Sequence, residues 1–157
     1  MWGRGAFIGV AGVLAVALVG VGCGGGSSEL VANVELSKPT YMKKAEAVCK
    51  KNYEKVREGY ESFVKSHGGP ENAFKDPADS AKYAEDVVVG EKKKTVEELK
   101  ALGAPKGEED QVEAIVEAYE EGIEVGEENP VQVMSSNGVF AYATYVAEEY
   151  GLESCRY

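Results

Sequence analysis

The chain has 157 residues, with 17 Lys+Arg against 27 Asp+Glu, a formal net charge of -10 and three cysteines. That length holds one domain. The acidic balance argues against a nucleic-acid partner, which needs basic patches to displace counterions, and against docking on anionic lipid heads through charge.

Residues 1–5 carry one positive side chain, Arg4, and residues 6–21 carry no charge at all. A short basic start, an apolar run and small residues before a break mark a secretory signal. The run is about 16 residues, under the ~20 that span a bilayer comfortably as a helix. Residues 1–22 are therefore expected to be a cleaved signal peptide. An uncleaved N-terminal anchor would leave the same domain in the same place. Cys23 follows directly, preceded by Gly20-Val21-Gly22 and followed by Gly24-Gly25-Gly26-Ser27-Ser28. This arrangement resembles the lipobox of bacterial lipoproteins. The resemblance implies that the Cys23 thiol takes a diacylglycerol, with palmitate among the acyl chains, and becomes the mature N-terminus; the alternative is a free thiol near a cleavage point. Residues 23–36 then form a lipid-anchored tether, since Gly and Ser give flexible coil.

An odd cysteine count in an exported chain needs an explanation. With Cys23 lipidated, Cys49 and Cys155 remain, and an oxidising compartment pairs them. The bridge would close a loop of about 105 residues, worth roughly 4–5 kcal/mol in the chain-entropy account. A redox pair is the other reading, but no Cys-x-x-Cys is present to lower a thiol pKa.

From Ser37 the pattern becomes helical, and residues 37–157 form the expected helical domain. Ser37 suits an N-cap and Pro39 a first turn. Tyr41, Ala45, Val48, Cys49, Tyr53, Val56, Tyr60, Phe63 and Val64 recur at spacings of three and four, one apolar face over about seven turns. His67-Gly68-Gly69-Pro70 stops it. Residues 71–79 read as loop. A second helix runs from about Ala78 to Leu102, with Ala81, Ala84, Val88, Val96 and Leu99 on its face. Its run Val87-Val88-Val89-Gly90 also allows a break or a brief strand. Residues 103–107 are a turn. A third helix starts near Glu108, where Glu108, Glu109 and Asp110 suit the positive end of the dipole, and Gly126, Asn129 and Pro130 end it. Residues 130–138 read as loop. The last helix spans about Val139 to Tyr150, and Gly151 takes a left-handed cap with Leu152 as its hydrophobic contact. Four amphipathic helices with short connections predict an all-α fold: a small antiparallel four-helix bundle closed by one disulfide.

Three stretches carry a second resemblance: Pro39-Thr40-Tyr41 leading into Ala45-Glu46-Ala47-Val48-Cys49, then Leu102-Gly103-Ala104-Pro105-Lys106-Gly107-Glu108-Glu109, and Tyr150-Gly151-Leu152-Glu153-Ser154-Cys155. They resemble uncharacterised small secreted lipoproteins of high-GC Gram-positive (actinobacterial) bacteria. The group implies a lipobox, a tether and a helical domain with one early and one terminal cysteine. It implies no activity.

The residues offer little chemistry. The one histidine, His67, reads as a helix-end cation rather than a metal ligand. No nucleophile elbow, P-loop or dinucleotide fingerprint is present, and no catalytic residue, metal or cofactor is assigned. Glu109, Glu113, Glu117, Glu120, Glu121, Glu124 and Glu128 stack along one side of the third helix and read as a solvated face. Lys43, Lys44, Lys50, Lys51 and Lys55 of the first helix would attract that face if the two helices are neighbours. Tyr142 and Tyr145 fall off the apolar stripe of the last helix, and an exposed aromatic pair can mark a protein or sugar contact.

Three functions compete. The first is a non-enzymatic interaction or structural module of the cell envelope, tethered to the extracytoplasmic face of the membrane and contacting another envelope protein. A filled core with an exposed Tyr patch would favour it. The second is a small-ligand or cation binding protein, favoured by a deep apolar pocket. The third is an envelope enzyme, favoured by two inward carboxylates at glycosidase separation.

Overall fold

The computed structural model describes residues 36–134 and 138–156, which fall in one compact unit, Asn33–Tyr157. The predicted signal peptide, Cys23, most of the tether and residues 135–137 of the predicted loop lie outside the described residues. Among the described residues 82 % are helical and none is in a strand. The all-α class is thus established, and the strand option at Val87–Gly90 is removed. Leu36, assigned to the tether from sequence, is half-buried against the core.

α1 is Lys38–Ser66. Ser37 occupies its N-cap in an extended conformation, but its hydroxyl pairs with Thr40 Oγ1 at 2.9 Å instead of capping a backbone amide. At the other end Gly68 and Gly69 have φ of 76° and 125°. These left-handed values turn the chain sharply, which side chains with a Cβ resist. α2 (Pro70–Ala73) and α3 (Pro77–Tyr83) occupy most of the stretch expected to be loop. Each opens with proline in its first turn, where the missing N–H costs nothing. Asp76 caps α3 by accepting from Ala78 N at 2.8 Å. Proline-bounded segments of this length read as loop because a single turn has no apolar period.

α3 runs on without interruption through a π-helical segment, Ala84–Val89, into α4, Gly90–Leu102. The predicted second helix is therefore one rod with a widened turn inside it. That turn shifts the phase of the side chains, and two valines find glycines opposite. A Cβ on Gly59 of α1 would lie 2.5 Å from Val87 Cγ1. A Cβ on Gly126 would lie 3.0 Å from Val89 Cγ2. α5 is Glu109–Glu128, α6 is Pro130–Val133, and α7 is Ala141–Tyr150. Gly151 adopts φ 101°, ψ 16°, and Leu152 N donates to Ala147 O while Gly151 N donates to Glu148 O. This is the Schellman arrangement anticipated from sequence, and it drives Leu152 to complete burial. A 3-10 turn, Glu153–Arg156, follows.

α1 packs on α4, α4 on α5, α5 on α7, and the terminal 3-10 turn returns against α1 and α7. Tyr41, Leu99, Ile115, Tyr119 and Leu152 are all fully buried where these elements meet. Each such side chain contributes roughly 1.5–3 kcal/mol by leaving water. Cys49, on the inner face of α1, is bonded to Cys155 in the terminal turn, with Cα atoms 4.9 Å apart. Tyr119 donates its hydroxyl proton to the Cys155 carbonyl, so α5 also holds that turn.

Candidate interaction surface

The interior is filled. A small pocket beside the disulfide, lined by Asn52, Lys92, Thr95 and Tyr119 among others, holds only about 10 Å³, about the room of one water. Asn52 is 3 % exposed, and its side-chain amide nitrogen has no hydrogen-bond partner. Lys92 is 9 % exposed, with its ammonium 5.2 Å from the Tyr119 ring centre and 5.6 Å from that of Phe140. Burial pushes its pKa down to about 8. Neither residue was singled out in the sequence. Asn52 could have been, because it falls three residues after Cys49 on the apolar stripe of α1.

The carboxylates of α5 point outward. Glu113, Glu117, Glu121 and Glu124 are exposed, so no desolvation prepares them as an acid–base pair. Among the described residues no group of three or more His, Cys, Asp or Glu is placed to hold a metal ion. The acidic side of α5 meets the lysines of α4 rather than those of α1. Lys100 bonds Glu120 at 2.5 Å and Lys93 bonds Glu127. Of the α1 lysines, Lys51 reaches Glu98 of α4 at 2.5 Å. The lysine row of α1 and the glutamate row of α5, which would attract each other as neighbours, are separated because α4 lies against both helices.

His67 does more than end a helix. Its Nδ1 lies 2.8 Å from the Phe63 carbonyl and its Nε2 3.4 Å from Asp79 of α3, and its ring packs 4.2 Å from that of Phe63. It therefore ties the α1 end to the start of the rod.

The remaining distinctive surface lies along α5 and α7. Tyr142 and Tyr145 are 62 % and 57 % exposed, the two largest values among the exposed large apolar side chains. They share one side of α7 with Val146 and Glu149, as spacings of three and four require. Val146, Glu149 and Tyr150 in turn line a groove of about 370 Å³ with Lys38, Glu108, Gln111 and Ala114. Within it Lys38 Nζ bonds Glu108 at 2.8 Å and sits 4.8 Å from the centre of the Tyr150 ring. Burial, with a smaller contribution from the Glu108 charge, pushes the Tyr150 pKa up to about 12. The sequence identified Tyr142 and Tyr145 from their helical phase. It gave no signal for Lys38 and Glu108, which lie 70 positions apart. No known protein family, curated protein or solved structure matches this chain.

Proposed function

We propose that this chain is a cell-envelope lipoprotein whose helical domain serves as a surface-tethered interaction module. In this reading residues 1–22 direct export, Cys23 carries the lipid, and residues 23–36 give the domain slack above the extracytoplasmic face of the membrane. The domain is an antiparallel four-helix bundle of α1, the α3–α4 rod, α5 and α7, a reading supported by short connections and successive packing. The resemblance to small secreted actinobacterial lipoproteins points the same way. So does the Cys49–Cys155 bridge, which accounts for two of the three cysteines. Among the described residues no helix is long and apolar enough to cross a membrane, so attachment in this reading falls to the N-terminal segment.

One observation carries the choice of function: a filled interior beneath an exposed Tyr142–Tyr145 pair. A carrier of drug-sized ligands works through a concave site of some 300 Å³ or more that encloses most of its ligand. The pocket beside the disulfide is far below that, and the larger concavities are open grooves between helices. Mass spectrometry of the membrane fraction tests the anchor: a diacylglycerol adduct on Cys23 is expected, and a lipid-free N-terminus elsewhere would overturn it. A photo-crosslinker at position 142 in intact cells tests the module. A discrete adduct with an envelope protein is expected, and adducts no different from those at an α5 control position would remove the reading.

A further inference from the structure

We infer that the α5–α7 face, on the reading that it is the contact surface, receives a basic segment of its partner, with Lys or Arg side chains laid over Tyr142 and Tyr145 and paired with Glu149. The groove beside that pair already holds an ammonium. Lys38 Nζ lies 4.8 Å from the Tyr150 ring centre while bonding Glu108 at 2.8 Å. Ring face plus carboxylate is the pairing that recognises a cation, the ring through its quadrupole and the carboxylate through a charge-assisted hydrogen bond.

Tyr142 and Tyr145 extend the same chemistry along α7. Both rings are open to solvent, and Glu149 follows Tyr145 by four residues, so it stands one turn away on the same side. The groove is lined by the carboxylates of Glu108 and Glu149 and the apolar Ala114 and Val146, and Gln111 supplies an amide. The helix that forms the other wall, α5, has nine acidic residues and no basic one. A partner with clustered negative charge is repelled here, and one with spaced positive charge is attracted and steered. Flat guanidinium groups suit this surface best, because they stack on a ring and fork to a carboxylate together. Lys38 is the chain's own cation in the groove, and Tyr142 and Tyr145 lie exposed beyond it.

The test is an NMR titration of the full-length chain with a blocked octapeptide of alternating Arg and Gly, at physiological salt. Shifts concentrated at Tyr142, Tyr145, Glu149 and Gln111 are expected. Replacing both rings (Tyr142→Ser with Tyr145→Ser) should weaken binding about five- to thirtyfold, as the loss of two exposed cation–π contacts requires. The rings are exposed, so the double variant keeps its fold, and an unchanged amide spectrum of α1 verifies this. Shifts spread over Glu113, Glu117, Glu121 and Glu124, with the double variant binding as well as the parent, would reduce the effect to bulk acidity and overturn the inference. Shifts of the tyrosines by a neutral chitin tetrasaccharide, with none from the peptide, would overturn it in favour of a sugar while leaving the interaction module standing. No response to either probe, together with indiscriminate crosslinking from position 142, would remove both.

Discussion

Lys92 is where a single residue most alters the behaviour of the domain. Its pKa falls from 10.5 to about 8 because burial disfavours the charged ammonium. Between those values the unfolded chain holds a proton that the folded chain has released. Stability therefore rises with pH across that window. The gain from pH 8 to 10 is on the order of 2–3 kcal/mol. Above pH 10 the trend reverses, because burial raises the pKa of Tyr119, Tyr150 and Tyr41 and folding then opposes their ionisation. Urea unfolding should show stability climbing from about pH 8 to a maximum near pH 10. Lys92→Met, which keeps length and apolar contact, should flatten the rise and be more stable than the parent below pH 8. A variant with the parent's slope would show that another group sets it. The burial of Lys92 was not legible in the sequence. A lysine within Glu91-Lys92-Lys93-Lys94 reads as a solvated charge, and its place beside the Tyr119 and Phe140 rings comes from tertiary packing.

At the scale of elements, the widened turn at Ala84–Val89 is matched by glycines on its neighbours. Gly59 faces Val87 and Gly126 faces Val89. Alanine is a better helix former than glycine by about 1 kcal/mol, so Gly59→Ala would stabilise an isolated helix. Here the new methyl would meet Val87 Cγ1 at 2.5 Å, and overpacking of that kind costs typically 1–3 kcal/mol. We expect Gly59→Ala to lower stability, and Val87→Ala added to it to recover much of the loss; additive effects in this double-mutant cycle would refute the contact. The left-handed Gly151, with φ 101°, gives a second case. Gly151→Ala should cost about 1–2 kcal/mol, and thermal melts would detect it. The long helices were legible because α1, the rod, α5 and α7 each repeat an apolar face. Gly151-Leu152 was legible because the cap motif is local. The one-turn helices α2 and α6 were not, having too few residues to show a period. The π segment could be read only as an ambiguity, three β-branched residues followed by a glycine, since the glycines its valines meet lie on α1 and α5.

The whole molecule depends on the bond between Cys49 and Cys155, which are 106 positions apart. Loop closure of that length is worth roughly 4–5 kcal/mol, comparable to the total stability of many small domains. Cys49→Ser with Cys155→Ser should lower the free energy of unfolding by about that amount, measured in urea under non-reducing conditions. A loss under about 1 kcal/mol would show that the packing of Leu152 and the Tyr119 bond already position the terminal turn. The pairing was legible from cysteine parity and compartment, and Cys49 from its place on the apolar stripe. The order of packing was not. The lysine row of α1 and the glutamate row of α5 left open whether those helices are neighbours; the rod comes between them, and charge patterns on single helices carry no information about which neighbour supplies the counterion. The α5–α7 face was legible only at Tyr142 and Tyr145, since Lys38, Glu108 and Tyr150 meet through tertiary packing.

The position of the bridge also sets how the molecule carries load. Traction applied on the N-terminal side, resisted by anything grasping the C-terminal turn, passes from α1 through the sulfurs at Cys49 and Cys155. The chain between them, a sequence separation of 106, is left slack. Pulled by its ends, the oxidised chain should lengthen only outside that closed span, and a force–extension trace should gain the missing contour when a reductant is added.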